Sequence, residues 1–203
     1  MIAVIDYGVG NLKSIENAIK FNNSDVKVDL VSEPENLKKY EKIILPGVGA
    51  FGDAIEKIRE KNFDQAIFEE VKKGKFLLGI CLGMQLLATK SYEYGEHLGL
   101  NLIDGEVILL KNINNIRIPH MGWNNVTFSK NNKILSDINN LSDFYFLHSY
   151  HFSCSRPDYI LGITDYGLNF ISVINKDNIY GAQFHPEKSQ ENGLKFMKNF
   201  IEL

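Results

Sequence analysis

The chain has 203 residues, a length that indicates one compact domain with enough residues to bury a full hydrophobic core. Hydrophobic residues make up 44% of it and charged residues 23%, which excludes globally disordered, collagen-like and coiled-coil classes. The formal net charge of −3 gives no electrostatic footprint for a nucleic-acid backbone, so nucleic-acid binding is not expected.

The amino-terminal half alternates predicted strands and helices. The opening MIAVIDYG reaches an acidic residue too early for a secretory or transit leader, and residues 2–6 form the first predicted strand. Leu12, Ile15 and Ile19 then share one face of a predicted helix. Further strands are predicted at 26–31, 43–46 and 76–80, with helical periodicity in the segments around 54–58 and 63–74. This alternation predicts βαβ units and a parallel sheet.

From about residue 103 the pattern is mostly β. Strands are predicted at 105–110, 116–123, 144–152, 159–167, 169–177 and 178–184, and a closing helix follows Ser189. The Asn-rich positions 112–115, 131–132 and 139–140 are predicted to be solvated turns. Since no repeat or linker divides the chain, we expect one α/β domain spanning 1–203. Its central sheet is expected to be mostly parallel, flanked by helices, with additional antiparallel strands in the C-terminal half.

Cys81 lies in GICLGMQ, where an apolar strand runs directly into an apolar helix. Gly79 and Gly83 permit a sharp strand-to-helix turn of the kind that projects a nucleophile above the sheet edge. A helix N-terminus stabilises a thiolate there and leaves the N–H of Leu82 free to face an oxyanion. The alternative is a buried structural cysteine, the commoner role of a lone Cys.

The second cysteine, Cys154, is most simply structural. Two cysteines are too few for a disulfide scaffold and favour a reducing compartment. With no apolar run of membrane-spanning length, we expect a soluble cytoplasmic protein.

His185 and Glu187 stand two residues apart in QFHPE, so they share a face if the backbone is extended. Pro186 between them stiffens that backbone. A catalytic imidazole needs a partner that sets its tautomer and stabilises its charged form, and Glu187 is suited to that role. A His-x-Glu pair alone is more often an accident of the surface, but a cysteine elbow upstream strengthens the catalytic interpretation.

The Gly-rich turn LPGVGAF at 45–51 follows a predicted strand and offers several backbone N–H groups. These could cradle a phosphate or complete an oxyanion hole, or the glycines could merely satisfy the turn geometry. The spacing matches neither GxxxxGK[ST] nor GxGxxG, so a nucleotide loop is not expected.

Three histidines, His120, His148 and His151, raise the question of a metal site that includes Cys154. His148 and His151 fall in one predicted strand, where positions three apart face opposite sides of the sheet. Joint ligation would require a bulge, so we expect no metal.

Cys81 in GICLGMQ, followed by His185 and Glu187 in QFHPE, resembles the class I glutamine amidotransferase family, whose fold is a flavodoxin-like α/β domain. Five segments narrow the resemblance to the branch that supplies ammonia to a separate cyclase subunit. They are DYGVGNLKS at 6–14, LPGVGAFGDA at 45–54, PHMGWN at 119–124, FLHSY at 146–150 and HPEKS at 185–189. The resemblance covers essentially the whole chain.

The resemblance implies a role for each matching residue. Cys81 is the nucleophile, His185 the acid and base, and Glu187 the residue that orients His185. The backbone at Val48 and Gly49 forms the oxyanion hole with Leu82. The positions that hold the glutamine are Gln85, Glu93, Ser149 and Tyr150. The positions that face the partner and form the ammonia exit are Asn11, Trp123, Tyr145 and Lys188. No cofactor is implied.

Plainer roles stay open for several of these side chains. Gln85 would then be a polar position on the elbow helix, Tyr145 and Tyr150 half-buried sheet aromatics, Trp123 a core anchor and Lys188 a solvated charge.

The resemblance further implies a partner, a cyclase (βα)8 barrel. Ammonia released into water is protonated and no longer nucleophilic, so a dry route to a second active site is expected. Partner binding is expected to complete the oxyanion hole by reorienting the backbone at 47–49.

Three other functions remain open from the sequence. Close paralogues resemble this chain but feed ammonia to sugar-modifying enzymes. A different cysteine hydrolase, such as a peptidase or deglycase, could use the same scaffold. A non-enzymatic redox sensor could use Cys81 as its reactive thiol.

Overall fold

A computed structural model describes residues 1–22, 25–111 and 116–203, and a nine-stranded mixed sheet forms the centre of this described part. The strands of that sheet are β1 (Ile2–Ile5), β2 (Val28–Val31), β3 (Lys42–Leu45), β4 (Phe76–Ile80), β8 (His120–Phe128), β9 (Ser142–His148), β11 (Ile160–Asp165), β12 (Asn169–Lys176) and β13 (Ile179–Ala182). A smaller sheet holds β5 (Lys90–Ser91), β6 (His97–Leu98), β7 (Glu106–Leu109) and β10 (Tyr150–Ser153). The α-helices are α1 (Leu12–Asn22), α2 (Phe51–Glu60), α3 (Phe63–Lys72), α4 (Leu82–Leu86) and α5 (Gln190–Glu202).

The large sheet has the strand order β2-β1-β3-β4-β13-β12-β11-β8-β9. The first five strands in this order are parallel, and from β13 to β9 each neighbour is antiparallel. The predicted α/β class with antiparallel strands from the C-terminal half is therefore confirmed. The two kinds of pairing are more evenly balanced than the sequence led us to expect, because β8 and β9 extend the sheet beyond β11.

Helices cover both faces of the parallel half, which explains why all four residues of β1 are buried. Ile2 and Val4 pack on the side of α1 and α5, together with Ile15 and Phe196. Ala3 and Ile5 pack on the opposite side, in the cluster that contains residues of α2 and α3. Strands apolar on both faces are typical of a parallel sheet buried between two helical layers.

Several predicted boundaries were wrong for physical reasons. The predicted strand 116–123 begins only at His120, after Pro119, which has no N–H to give to a ladder. The predicted strand 144–152 is interrupted at Ser149, because β9 pairs with β8 and β10 pairs with β7 of the smaller sheet. The two-residue strands β5 and β6 are too short for any periodicity to reveal. The predicted turn at 112–115 lies outside the described residues.

Other local predictions were confirmed. Helix α3 ends at Lys72 and is followed by Gly74 at φ 93°, as the basic last turn and C′ glycine indicated. Asn131, Asn139 and Asn140 are exposed positions outside strands and helices. Within the described ranges, no helix combines the length and apolar character required to span a membrane.

Candidate active site

Cys81 occupies the turn between β4 and α4. Its φ of 53° and ψ of −110° lie in a region that a non-glycine residue rarely adopts, as expected of a nucleophile elbow. The N–H of Cys81 donates to the carbonyl of Ala182 over 2.7 Å, which attaches the turn to the end of β13.

Close backbone contacts explain the glycines on either side of this turn. A Cβ at Gly83 would overlap the carbonyl oxygen of Leu45, and a Cβ at Gly79 would lie 2.6 Å from the Gly83 oxygen. No side chain fits at either position, so these glycines allow α4 to pack directly on β3 and β4.

His185 and Glu187 reach the same place from the neighbouring strand. β13 runs parallel to β4 with Ala182 opposite Ile80, so the residues that follow β13 lie beside Cys81. His185 Nδ1 lies 2.9 Å from Glu187 Oε1, and the two side chains are 4% and 1% exposed. The structure therefore brings all three predicted catalytic side chains together.

The charge state of His185 follows from opposing effects. Burial disfavours a charged imidazole, but the sulfur of Cys81 and the carboxylate of Glu187 outweigh it, and together they raise the pKa of His185 to about 10. A protonated His185 is the form that can give a proton to a leaving amine.

A cavity of about 220 Å³ opens beside Cys81, a size suited to one small metabolite. Its lining includes every residue predicted for the oxyanion hole and for substrate binding. The lining residues are Val48, Gly49, Cys81, Leu82, Gln85, Glu93, Pro119, Leu147, His148, Ser149, Tyr150 and His185. Glu187 lies behind His185, outside this lining.

The loop at 46–49 starts against the first turn of α4, where a Cβ at Gly47 would lie 2.9 Å from the Gly83 nitrogen, and its Val48 and Gly49 line the cavity. The hydroxyl of Tyr7 donates to the carbonyl of Pro46 over 2.9 Å, and burial together with the charge of Cys81 raises the pKa of that phenol. Gly49 has φ 94° and Val48 is 43% exposed. Since the first N–H groups of α4 have no acceptor within the helix, Leu82 and this loop can offer donors to an anion from two sides.

Glu93 gives the cavity a carboxylate. Its Oε2 accepts the N–H of Phe51 at 2.7 Å, in the first turn of α2. Burial raises the pKa of Glu93, and the Phe51 N–H partly opposes this shift. The other carboxylate oxygen can accept hydrogen bonds from an ammonium group of a ligand.

Gln85 lies on α4 with its side chain buried against the cavity floor. Its Nε2 donates to the carbonyl of Tyr150 over 2.8 Å and to Oε1 of Gln183 over 3.2 Å. Gln85 is also one of the lining residues of the cavity. Ser149 connects β9 to β10, Tyr150 is the first residue of β10, and both residues line the cavity.

Three of the four residues predicted to face a partner lie together on the surface. Trp123 pairs with Tyr145 across β8 and β9, and their rings meet edge to face at 6.1 Å. The Nζ of Lys188 lies 5.8 Å from the Tyr145 ring, whose own centroid is 6.5 Å from that of His185. Asn11 is half-buried at the start of α1 and is not part of the cavity lining.

The three histidines considered for a metal lie in or beside the aromatic core. His120 Nδ1 and His148 Nε2 are 3.1 Å apart. Burial lowers the pKa of His120 to about 4 and that of His148 to about 3, so both are neutral near pH 7. In the part of the chain that the structure describes, no three His, Cys, Asp or Glu residues are grouped to hold a metal ion.

Sequence reasoning missed four residues of this site: Pro119, Leu147, His148 and Gln183. Leu147 and His148 were assigned no substrate role because the break at Ser149, which ends their strand beside the cavity, has no sequence signal. Pro119 reaches the cavity just before β8, and its sequence neighbourhood gives no sign of that position. Gln183 did have a signal, since it precedes His185 by two residues and so shares its face.

The chain matches the family model described as glutamine amidotransferase class-I over residues 3–203. A subunit HisH of imidazole glycerol phosphate synthase from Helicobacter hepaticus is 44% identical, with 100% of this chain and 98% of that protein covered. A subunit of the same name from Caldanaerobacter subterraneus is 46% identical, again with 100% and 98% covered.

The fold is similar to that of a solved chain of PurLQS from Thermotoga maritima. The TM-score is 0.78 at 19% identity, with 99% of this chain and 97% of that chain covered. The full-length family match, together with relatives more than 40% identical, shows that this chain belongs to the class I glutamine amidotransferase family.

Proposed function

We propose that this chain is the glutaminase subunit of imidazole glycerol phosphate synthase. It hydrolyses glutamine and delivers the ammonia to a cyclase (βα)8 barrel in histidine biosynthesis. The observation that carries the proposal is the assembly of Cys81, His185 and Glu187 beside a metabolite-sized cavity. The chain that holds this site is 44% and 46% identical to two subunits of that enzyme over nearly their full lengths.

In the first step the thiolate of Cys81 attacks the side-chain carboxamide carbon of glutamine. The carbonyl oxygen becomes an oxyanion, which the N–H groups of Leu82 and of the 48–49 backbone stabilise. His185 then gives its proton to the amide nitrogen as the C–N bond breaks. Ammonia leaves, and the γ-glutamyl group remains on Cys81 as a thioester.

In the second step water cleaves the thioester. His185, now neutral, removes a proton from the attacking water, and the C–S bond breaks to release glutamate and restore the thiolate. Glu187 keeps the imidazole in one tautomer throughout and stabilises its charged form. The cycle consumes glutamine and water and yields glutamate and ammonia, so no cofactor is needed.

The lining of the cavity supports an amino acid as substrate. The free carboxylate oxygen of Glu93 is suited to the α-ammonium group of glutamine. The amide oxygen of Gln85 and the polar groups of Ser149 and Tyr150 supply further contacts. Such partners fix an amino acid by both its backbone and its side chain, and this holds the carboxamide next to the Cys81 sulfur.

An exposed apolar surface next to the cavity supports the cyclase as partner. Met121, Trp123 and Leu147 are 67%, 48% and 38% exposed on the paired strands β8 and β9. Large exposed apolar side chains grouped on one face are typical of a protein interface. Leu147 also lines the cavity, and its carbonyl lies 3.7 Å from the sulfur of Cys81. A partner bound here would receive ammonia over a short distance.

The test is reconstitution with the cyclase encoded by the same organism. The complex should form imidazole glycerol phosphate from glutamine at a rate matching glutamate release. Cys81→Ala should abolish glutamine-dependent synthesis and leave synthesis from added ammonium salts intact. Stable binding to a sugar-modifying enzyme in place of the cyclase would instead assign the chain to the paralogous function.

A further inference from the structure

Gln183 is a buried polar residue to which the proposed chemistry gives no role. It follows β13 directly, its side chain is fully buried, and its Nε2 lies 3.8 Å from the sulfur of Cys81. Its Oε1 accepts from Gln85 at 3.2 Å. Gln183 therefore connects a residue of the cavity floor to the nucleophile.

The orientation of the Gln183 amide follows from a chain of donors that ends at an unambiguous acceptor. The carbonyl of Tyr150 can only accept, so Gln85 must direct its Nε2 toward that oxygen. The same Nε2 faces Gln183, which must therefore present its own oxygen to Gln85. The NH₂ group of Gln183 is left facing the Cys81 sulfur.

The Tyr150 carbonyl is itself held from a second direction. It lies 2.9 Å from Nδ1 of His148, which must donate because the carbonyl accepts. His148 Nε2 then accepts from Nδ1 of His120 over 3.1 Å. Burial keeps both imidazoles neutral, so these donor directions do not change near pH 7.

The groups around the Cys81 sulfur determine whether its thiol or its thiolate form is favoured. The carbonyl of Leu147, 3.7 Å away, is an acceptor and favours a protonated thiol. A donor from another side favours the thiolate, since hydrogen bonds to a charged acceptor are stronger than neutral ones. The titratable groups that face the sulfur are His185, after β13, and Tyr7, after β1. Gln183 adds a neutral, fully buried donor to these.

We propose that Gln183 is a positioning residue that holds the Cys81 sulfur as a thiolate by donating a hydrogen bond to it, with its amide oriented by Gln85. This inference rests on the proposed function for the use of that thiolate. The expected result is that replacing Gln183 changes how the reactivity of the Cys81 sulfur depends on pH, even when no substrate is present.

The test measures the rate of Cys81 alkylation by iodoacetamide as a function of pH. It uses a Cys154→Ser background, because Cys154 is partly exposed and would react as well. In Gln183→Met, which keeps an unbranched side chain of similar length, the midpoint of the profile should rise by about one pH unit. In the complex with the cyclase, kcat for glutamine should fall about tenfold while KM changes little.

The matched control is Asn199→Leu, which removes another buried side-chain amide. Asn199 lies on α5, and its Nδ2 donates to the carbonyls of Ile134 and Ser136. The substitution should lower the thermal midpoint and leave the alkylation profile unchanged. Should Gln183→Met fail to fold, Gln183→Glu serves instead: it keeps an acceptor for Gln85 and points an oxygen at the sulfur, so its midpoint should also rise.

A profile for the folded Gln183 variant that superimposes on the parent would overturn the inference. A wild-type complex that does not hydrolyse glutamine would overturn the proposed function, whatever the alkylation profile shows. The two failures are therefore distinguishable.

Discussion

His185 and Glu187 share one short hydrogen bond, 2.9 Å from Nδ1 to Oε1, in which the carboxylate can only accept. The proton of this bond is therefore on Nδ1, and Nε2 is the atom left to exchange a proton at the reaction centre. Among the described residues the second carboxylate oxygen of Glu187 has no hydrogen-bond partner. The hydrogen bond of the Glu187 carboxylate that the structure describes is thus the one to the imidazole.

We expect Glu187→Gln to reduce glutamine hydrolysis by roughly 10²–10⁴-fold, because an amide can no longer stabilise the imidazolium and allows the wrong tautomer. The measurement is kcat for glutamate release in the reconstituted complex. KM for glutamine should stay within about twofold, since Glu187 lies outside the cavity lining. A variant with wild-type kcat would remove Glu187 from the mechanism.

Glutaminase turnover should depend on the partner. Gly49 at φ 94° and the exposed Val48 belong to a surface loop, so a bound cyclase with its ligand can reorient the 47–49 backbone and complete the oxyanion hole. We expect the isolated chain to be at least about tenfold slower than the complex with ligand. The measurement is the steady-state rate of glutamate release with and without the partner and its ligand. Equal rates would contradict the predicted gating.

Trp123→Ala should weaken cyclase binding about tenfold to a hundredfold, since a partly exposed Trp next to Tyr145 has the features of an interface hot spot. Isothermal titration gives the Kd. Phe68→Ala is the matched control: Phe68 is also an exposed aromatic, 55% exposed, but lies on α3. Similar Kd values for both variants would place the partner elsewhere.

The substitution Gly83→Ala tests whether the turn at Cys81 requires a glycine at the start of α4. The alanine Cβ would overlap the carbonyl of Leu45, so α4 has to move, and both stability and the position of Cys81 should suffer. We expect a loss of at least about 1–3 kcal/mol in the free energy of unfolding, and little glutamine hydrolysis. Gly74→Ala meets no atom within 4 Å and adds only the strain of φ 93°, so this control should cost about 1–2 kcal/mol and keep full activity.

Acid should destabilise the fold through the buried histidines. Unfolded histidines take up protons near pH 6.5, whereas burial lowers the pKa of His120 to about 4 and that of His148 to about 3. At a pH between the folded and the unfolded pKa of a histidine, the unfolded chain binds more protons than the folded chain does. The free energy of unfolding therefore falls as the pH drops below 6.5. The slope is about 1.4 kcal/mol per pH unit for each histidine.

Urea unfolding of wild type and His120→Phe between pH 7 and pH 4.5 checks this. The new ring can stack on Phe146 and Tyr166 as His120 does, but it cannot titrate. The variant should be less stable at pH 7, having lost the bond to His148, yet show a shallower slope. If the free energy of unfolding falls equally steeply with pH in both proteins, His120 does not contribute to the acid destabilisation.

The parts of the site that the sequence predicted are those with local signals. The glycines around Cys81 indicate a sharp turn, and the two-residue spacing of His185 and Glu187 indicates a shared face. The contacts of Leu147 and His148 with the cavity could not be predicted, because they depend on β9 and β10 joining different sheets on either side of Ser149. A break of this kind is set by long-range pairing, which a local pattern does not encode.

The balance of parallel and antiparallel pairing is a second example. Alternating strands and helices in the first half of the chain revealed the βαβ units, since each unit is local. The order of the later strands was not predictable, because β13 inserts between β4 and β12 although it is the last of these strands in the chain.

That insertion has a consequence during synthesis on the ribosome. Cys81 and its strand emerge early, but the carbonyl of Ala182 that holds the elbow belongs to the last strand to be made, and His185 follows that strand. In the proposed mechanism, a nascent chain therefore carries its thiol without the base that would activate it. The proposed catalytic site is complete only when the two halves of the sheet are joined, so an incomplete chain is expected to hydrolyse no glutamine.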